Sequence, residues 1–444
     1  MSGNCPFGVV AMRGRDPVGG EFDADLPVLV LRTDRNMFHH GTLGVIRSLG
    51  RAGVPVHAVL EGPGAPAAAS RYLRERHPWG PPAPDGAPAA LVAHLERIAR
   101  RIGRRALLVP MDDGGAIFIA ENSVALSEHF VFPRQEPALP RSLADKSTLA
   151  DKCAEAGVVC PDSRLPLSAH DVDEALKQWG LPIIAKWARP WRLRPGRRST
   201  SVVNTREQAH ELMSMAADPS GAGPLILQQR IASPRAVDWF FHGYFDDASR
   251  CLFAGTGRKK LACPPQSGHT VLGEWTPNPE LEEIGRTLGR VLGYRGVVDL
   301  DFRLLPETGT YFLLDFNPRL GAQFRLFTDR RGLDLARVMH LDLSGRPVPY
   351  VRPDYGRTMV VENHYLRPSV LRSFKGASRA HELRKADEYA WLCRDDPAPF
   401  LVMGAQSVVR AAEKLRTSRI ARSRRGKSKA PEKRRCPASD PPGD

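Results

Sequence analysis

Acids and an amide spaced to hold a hard cation occur in two short segments, Val297-Val-Asp-Leu-Asp-Phe-Arg303 and Tyr311-Phe-Leu-Leu-Asp-Phe-Asn-Pro-Arg319. Both alternate apolar and polar residues, and Pro306 and Gly309 lie between them, which predicts a β-hairpin. Strand side chains two residues apart share a face, so Asp315 and Asn317 project together and Asp301 sits across from them. Oxygens grouped this closely repel one another unless a cation joins them. The expected ion is Mg²⁺ shared with the phosphates of a nucleotide. The register decides between Asp299 and Asp301 as the ligand, because a slip of one residue exchanges the faces. Arg319, just past Pro318, offers a guanidinium fork to an anion beside the metal.

Lysines supply the complementary charge. Lys186 ends the apolar run Leu181-Pro-Ile-Ile-Ala. A buried ammonium is costly without an anion, so this residue should meet one. Lys146 follows Asp145 at the start of a helical pattern through Leu149, Cys153 and Ala156, with Asp145 placed as an N-cap. Between Trp187 and Ser201 lie five arginines, two prolines and one glycine. That composition excludes a regular strand and suits a cationic loop closing over phosphates.

These segments together resemble the ATP-grasp superfamily. Asp315-Phe-Asn-Pro-Arg319 is similar to its E-x-N-P-R signature, with Asp for the usual Glu. Leu143-Ala-Asp-Lys146 followed by Gly157, Val158 and Pro161 resembles its entry segment, and Leu181 to Lys186 its second nucleotide lysine. Leu225-Ile-Leu-Gln-Gln-Arg-Ile231 resembles the strand that holds adenine. The segments stand in family order across about residues 27 to 345, and the order is stronger evidence than any one of them.

The resemblance implies ATP and Mg²⁺, with Mn²⁺ as a substitute. Lys146 and Lys186 would hold phosphates, and Gln228 and Gln229 would take the adenine edge where many relatives carry a glutamate. Asp238 would hold ribose hydroxyls or else cap the turn at Ala232-Ser-Pro-Arg235. Gly255-Thr-Gly-Arg-Lys-Lys260 resembles a basic stretch of the carboxylate–amine ligase-like subgroup, which makes Lys260 and Arg319 the expected catalytic cations. Asp301, Asp315 and Asn317 are the expected metal ligands. The implied reaction activates a carboxylate as an acyl-phosphate for attack by an amine, and the alternative is a non-catalytic or regulatory ATP-binding protein. A homodimer is compatible with the subgroup.

The remaining pattern is α/β. Leu26 to Leu31 reads as a strand, about Leu43 to Ala52 as a helix, Val54 to Leu60 as a second strand, Leu91 to Ile102 as an amphipathic helix, and Ala106 to Pro110 as another strand. The loop Thr33 to Gly41 follows the first strand at the end where parallel sheets place ligands. Asp112-Asp113-Gly-Gly115 reads first as a plain acidic turn and second as a substrate-facing one. The expected fold is an N-terminal open parallel-sheet domain followed by a two-lobed α+β ATP-grasp fold. The expected boundaries are 1–25 disordered, 26–137, 138–345, a C-terminal extension at 346–412 with no assigned role, and a disordered basic tail at 413–444.

Composition narrows the function classes. The 444 residues contain 42% apolar residues and no uncharged run long enough to cross a bilayer. Met1 to Asp25 has Gly, Pro and charges instead of an apolar signal core, and seven scattered cysteines form no C-x-x-C pair. Both features predict a reduced, cytoplasmic protein. The net charge of +15 is concentrated: Arg410 to Arg435 holds 12 Lys/Arg and two Glu. A loose contact of the tail with nucleic acid or anionic surfaces is compatible with this, without defining the chemistry.

Overall fold

Apolar runs bounded by turns build the first sheet. In the computed structural model, which describes residues 22–80, 87–193, 197–216, 223–263, 268–365 and 385–427, it is formed by β1 (Val28–Leu31), β2 (Val56–Leu60), β3 (Leu73–Pro78), β4 (Ala106–Pro110) and β5 (Phe130–Val131). The strands run parallel in the order β3-β2-β1-β4-β5. Helices α1 (His40–Arg51), α2 (Pro88–Ile102) and α3 (Asp113–Glu121) connect and cover it. Their stripes bury Leu43, Ile46 and Leu49 against one face, and Leu91, Leu95 and Ile98 against the other. The strands and helices predicted in this half lie within a few residues of their expected bounds.

A small antiparallel sheet follows, made of β6 (Ser163–Arg164), β7 (Ile183–Trp187), β8 (Thr200–Val203) and β9 (Leu225–Gln228) in the order β6-β9-β7-β8. Ala185, Trp187, Leu225 and Leu227 pack beneath helices Ala169–Trp179 and Arg206–Ala216. The alternate residues Lys186 and Gln228 therefore face the other way. Trp187 and Thr200 are strand residues, so the cationic loop is shorter than its sequence suggested. Residues 194–196 of that loop lie outside the described residues.

The largest sheet holds β10 (Val237–Phe245), β11 (Cys251–Cys263), β12 (His269–Trp275), β13 (Gly296–Leu305), β14 (Thr310–Asn317), β15 (Thr358–Val360) and β16 (Glu388–Tyr389). Their order is β14-β13-β10-β11-β12-β15-β16, and the predicted hairpin is the β13–β14 edge, with Gly309 at φ +69 in its turn. The C-terminal extension is thus not separate: β15 and β16 complete this sheet beside β12. Trp391 and Met403 join the core that links the first sheet to the largest one. Helix Ala398–Lys427 runs on past the boundary expected at 413, while 1–21 and 428–444 lie outside the described residues.

One buried ion pair holds the extension to the N-terminal half. Arg47 on α1 and Asp396 are 0% and 1% exposed and meet at 2.9 Å, and Ser70 Oγ and the Arg71 N–H also donate to Asp396. Removing one partner strands the other's charge in an apolar setting. Asp396→Ala should cost about 3–5 kcal/mol, measured as a lower urea midpoint, whereas a change under about 0.5 kcal/mol would mean that the pair carries no load.

Candidate active site

Three elements converge on Asp315. The strand register places Asp301 opposite Asp315 and Asp299 opposite Asn317, so all four project from one face of the hairpin. The choice between Asp299 and Asp301 posed from sequence was a false one, because residues two apart on a strand share a face and no slip separates them. Leu314 is the extra residue of a bulge beside Asp315, and its carbonyl accepts from Lys186 Nζ at 2.8 Å. Lys146 Nζ lies 2.9 Å and Lys186 Nζ 3.6 Å from Asp315 Oδ1.

The two lysines reach this point by different routes. Lys186 stands on β7, on the face turned away from the helices. Lys146 lies in the turn between helices Leu139–Ala144 and Leu149–Glu155, where its N–H donates to the Ala188 carbonyl at 2.9 Å. Asp145 is not the expected N-cap. It closes the preceding helix, accepts from the Ser147 N–H and pairs with Arg189 at 2.9 Å, which ties the base of the cationic loop to the Lys146 turn.

Their electrostatics differ. Burial alone would lower the Lys146 pKa, but Asp315 and Asp113 outweigh it and raise the value. Burial lowers the Lys186 pKa, Asp315 offsets this only in part, and the neighbouring Lys146 adds to the lowering. Burial pushes Asp315 up, yet the two ammonium groups overcome it and hold the carboxyl at about 2. One carboxylate is thus shared by two cations, and Lys186 is the one left under-compensated.

The metal-ligand candidates are all oxygens. Asn317 Nδ2 donates to the Asp299 carbonyl at 3.1 Å, which leaves the amide oxygen to the carboxylate face. Burial, together with Asp299 and Asp315, raises the Asp301 pKa, while Lys259 counters it. Closely spaced carboxylate and amide oxygens on one face are the donor set a hard divalent cation takes, so Asp301, Asp315 and Asn317 fit Mg²⁺.

Lys260, the expected catalytic lysine, stands elsewhere. It is the extra residue of a bulge in β11, with Lys259 opposite Gly273 and Leu261 opposite Leu272, and its ammonium lies 3.7 Å from Glu274. Lys259 reaches the site instead, 2.6 Å from Asp301. Gly257 lies on the Asp301 face through Phe240, and Lys259, two residues further along β11, shares that face.

Arg319 closes the far side, 2.8 Å from Asp299 and 3.5 Å from Asp113. Asp113 opens α3 in the Asp112-Asp113-Gly-Gly turn, whose Asp112 caps the helix and also takes the Thr33 N–H and hydroxyl. This turn therefore reaches the site through Asp113. His242, fully buried, lies 3.1 Å from Asp299, and with Arg319 it holds that carboxyl well below the usual range despite burial. Nothing local in the sequence marks His242. It comes into place because β10 pairs with β13 so that His242 stands opposite Asp299.

The residues expected at the adenine and ribose are placed as follows. Gln228 is buried on the Lys186 face, and its amide donates to Ser163 Oγ at 2.9 Å. The Gln229 N–H donates to the Asp162 carbonyl. Asp238 pairs with Arg303, which stands opposite it on β13 and binds its carboxylate at 2.7 Å.

No family model matches the chain. A D-aspartate ligase of Enterococcus faecium (strain Aus0004) is 24% identical over 262 residues, 57% of this chain and 62% of that protein. A biotin carboxylase of Haemophilus influenzae is 24% identical over 230 residues, 48% of each. The matches thus span about half to three-fifths of the length of these curated relatives. Among solved structures, the biotin carboxylase domain of a Hydrogenobacter thermophilus 2-oxoglutarate carboxylase, with MgADP and bicarbonate, has a TM-score of 0.55 at 16% identity, covering 76% of this chain and 73% of its own. An N5-carboxyaminoimidazole ribonucleotide synthetase with ADP scores 0.56 at 11% identity, covering 76% and 82%. One from Thermus thermophilus scores 0.53 at 17%, covering 75% and 82%.

Close packing fixes Arg319. A Cβ on Gly321 would collide with His242 Cε1 and lie 2.8 Å from the Asp299 carboxylate. Gly321→Ala should force these groups apart, costing about 1–3 kcal/mol of stability and more than tenfold in any ATP turnover. The check is a melting curve beside an ADP-release assay; parental values in both would mean that the segment yields freely.

Proposed function

We propose that this chain, which has the ATP-grasp fold, is an ATP- and Mg²⁺-dependent ligase that activates a carboxylate as an acyl-phosphate for attack by an amine. The observation that carries the proposal is the sharing of Asp315 by Lys146 and Lys186. Two buried ammonium groups on one carboxylate leave cationic capacity for phosphates, and acids beside them await a metal.

In this reading Lys146 and Lys186 turn from Asp315 to the phosphates, which raises the proton affinity of Lys186 and keeps it charged. Asp301, Asp315 and Asn317 would hold Mg²⁺, which when bound would neutralise phosphate charge. Gln228 and Gln229 line the adenine side. A substrate carboxylate oxygen attacks the γ-phosphorus and ADP leaves; the amine then attacks the acyl carbon, phosphate departs and the amine loses a proton. Arg319, held by Asp299 and Asp113, stabilises the negative charge of the acyl-phosphate, and Lys259 takes the part expected of Lys260. A neutral amine needs no dedicated base, since water accepts its proton. The non-catalytic alternative rests on Asp315 and Gln229, which depart from the common family residues.

The substrate pair is open to direct assay. ADP release should appear with one combination from a panel of amino acids, small peptides and bicarbonate against amines, and no stimulation by any pair would favour the non-catalytic reading. Lys186→Met should weaken ATP binding by about 2–4 kcal/mol, roughly thirty- to a thousandfold, because a charge–phosphate contact in a desolvated cleft is lost. Titration calorimetry measures it; parental affinity in that variant would make Lys186 structural.

A further inference from the structure

Outside the cleft, two histidines and a glutamate meet on the α2-facing side of the first sheet. Strands β2 and β3 are parallel neighbours at its edge, with His57 opposite Glu75, and His77 two residues further along. The three side chains therefore share a face. His57 Nδ1 lies 3.1 Å from His77 Nε2, and Glu75 Oε2 lies 3.8 Å from the first and 4.0 Å from the second. We propose that His57, Glu75 and His77 bind a divalent transition-metal ion of the Zn²⁺ class and so tie the edge strand to its neighbour.

The distances carry the argument. A point equidistant from those three atoms lies about 2.1 Å from each, which matches ordinary Zn–N and Zn–O bond lengths; the two ring nitrogens face each other, so binding turns both rings to aim their lone pairs at that point. Two imidazoles and one carboxylate suit Zn²⁺, Co²⁺ or Ni²⁺, whereas the all-oxygen set at Asp301, Asp315 and Asn317 suits Mg²⁺. Burial lowers both histidine pKa values against the opposing pull of Glu75, His77 to about 4, so both rings are neutral lone-pair donors at pH 7.

Surrounding groups support the same use. Arg101 of α2 holds Glu75 Oε1 at 2.5 Å, which orients the carboxylate and leaves Oε2 toward the rings. His57 and His77 are buried while Glu75 is partly exposed, so water can reach the open side as a further ligand. Without an ion, one of the two facing ring nitrogens must carry the hydrogen of their mutual contact. Binding moves the ring hydrogens to His57 Nε2 and His77 Nδ1, with no net change in protonation.

The test uses the full chain, stripped with a chelator and titrated with Co²⁺, then Zn²⁺. One equivalent of Co²⁺ should give intense visible bands of low-coordinate Co²⁺, removed by one equivalent of Zn²⁺. His77→Gln and Glu75→Gln, each verified as folded by circular dichroism, should lose the bands and bind Zn²⁺ at least tenfold more weakly, while Asp315→Asn should keep both. No stoichiometric binding by the parent chain overturns the proposal. So does parental binding in either folded ring or carboxylate variant, or loss of the bands in Asp315→Asn, which would place the ion in the cleft.

Discussion

The cleft depends on one electrostatic constraint: the charges of Lys146 and Lys186 are buried together with a single carboxylate, Asp315, between them. Two ammonium groups a few ångströms apart in a desolvated place repel strongly, and one anion cannot fully neutralise both. The lowered pKa of Lys186 is the local sign of that shortfall. The same balance continues along the hairpin, where Lys259 meets Asp301 and Arg319 meets Asp299 and Asp113.

Positioning these charges takes all three sheets. β7 brings Lys186 from the small sheet, the hairpin brings the acids from the edge of the largest sheet, and α3 brings Asp113 from the first. Close backbone approach keeps the elements in place. A Cβ at Gly41 would lie 2.7 Å from Ala322 Cα, so the start of α1 rests directly on the segment that follows Arg319. The extension seals this arrangement from behind, with Arg47 and Asp396 buried between α1 and the region that supplies β16.

Much of this was legible from residue types and spacing. Alternation around Pro306 and Gly309 gave the hairpin and the face of Asp301, Asp315 and Asn317, and the apolar run before Lys186 implied a buried cation that needs an anion. What escaped was non-local. Lys259 was passed over for Lys260 because the resemblance marks the basic stretch and not the face, which is set only by the pairing of β11 with β10 and of β10 with β13. The pairing of Asp238 with Arg303 was not foreseen because Arg303 is 65 residues away on a strand that pairs only in the folded chain. His242 was missed for the same reason, and the Asp112-Asp113 turn was undervalued because its partner, Arg319, comes from another sheet. The role of 346–412 was invisible because two short strands gain meaning only beside β12.

The central claim is that the negative charge of Asp315 restrains two lysines and would serve a metal when one binds. Asp315→Asn separates these roles at nearly constant volume. Calorimetric titration of parent and variant with ATP, with Mg²⁺ and with EDTA, alongside ADP release, reads both. The expected result is that the variant binds metal-free ATP at least as well as the parent, because the lysines are released to the phosphates, while Mg²⁺-dependent turnover is lost. Full Mg²⁺-dependent turnover in Asp315→Asn would contradict the assignment of this residue as the pivot of the site.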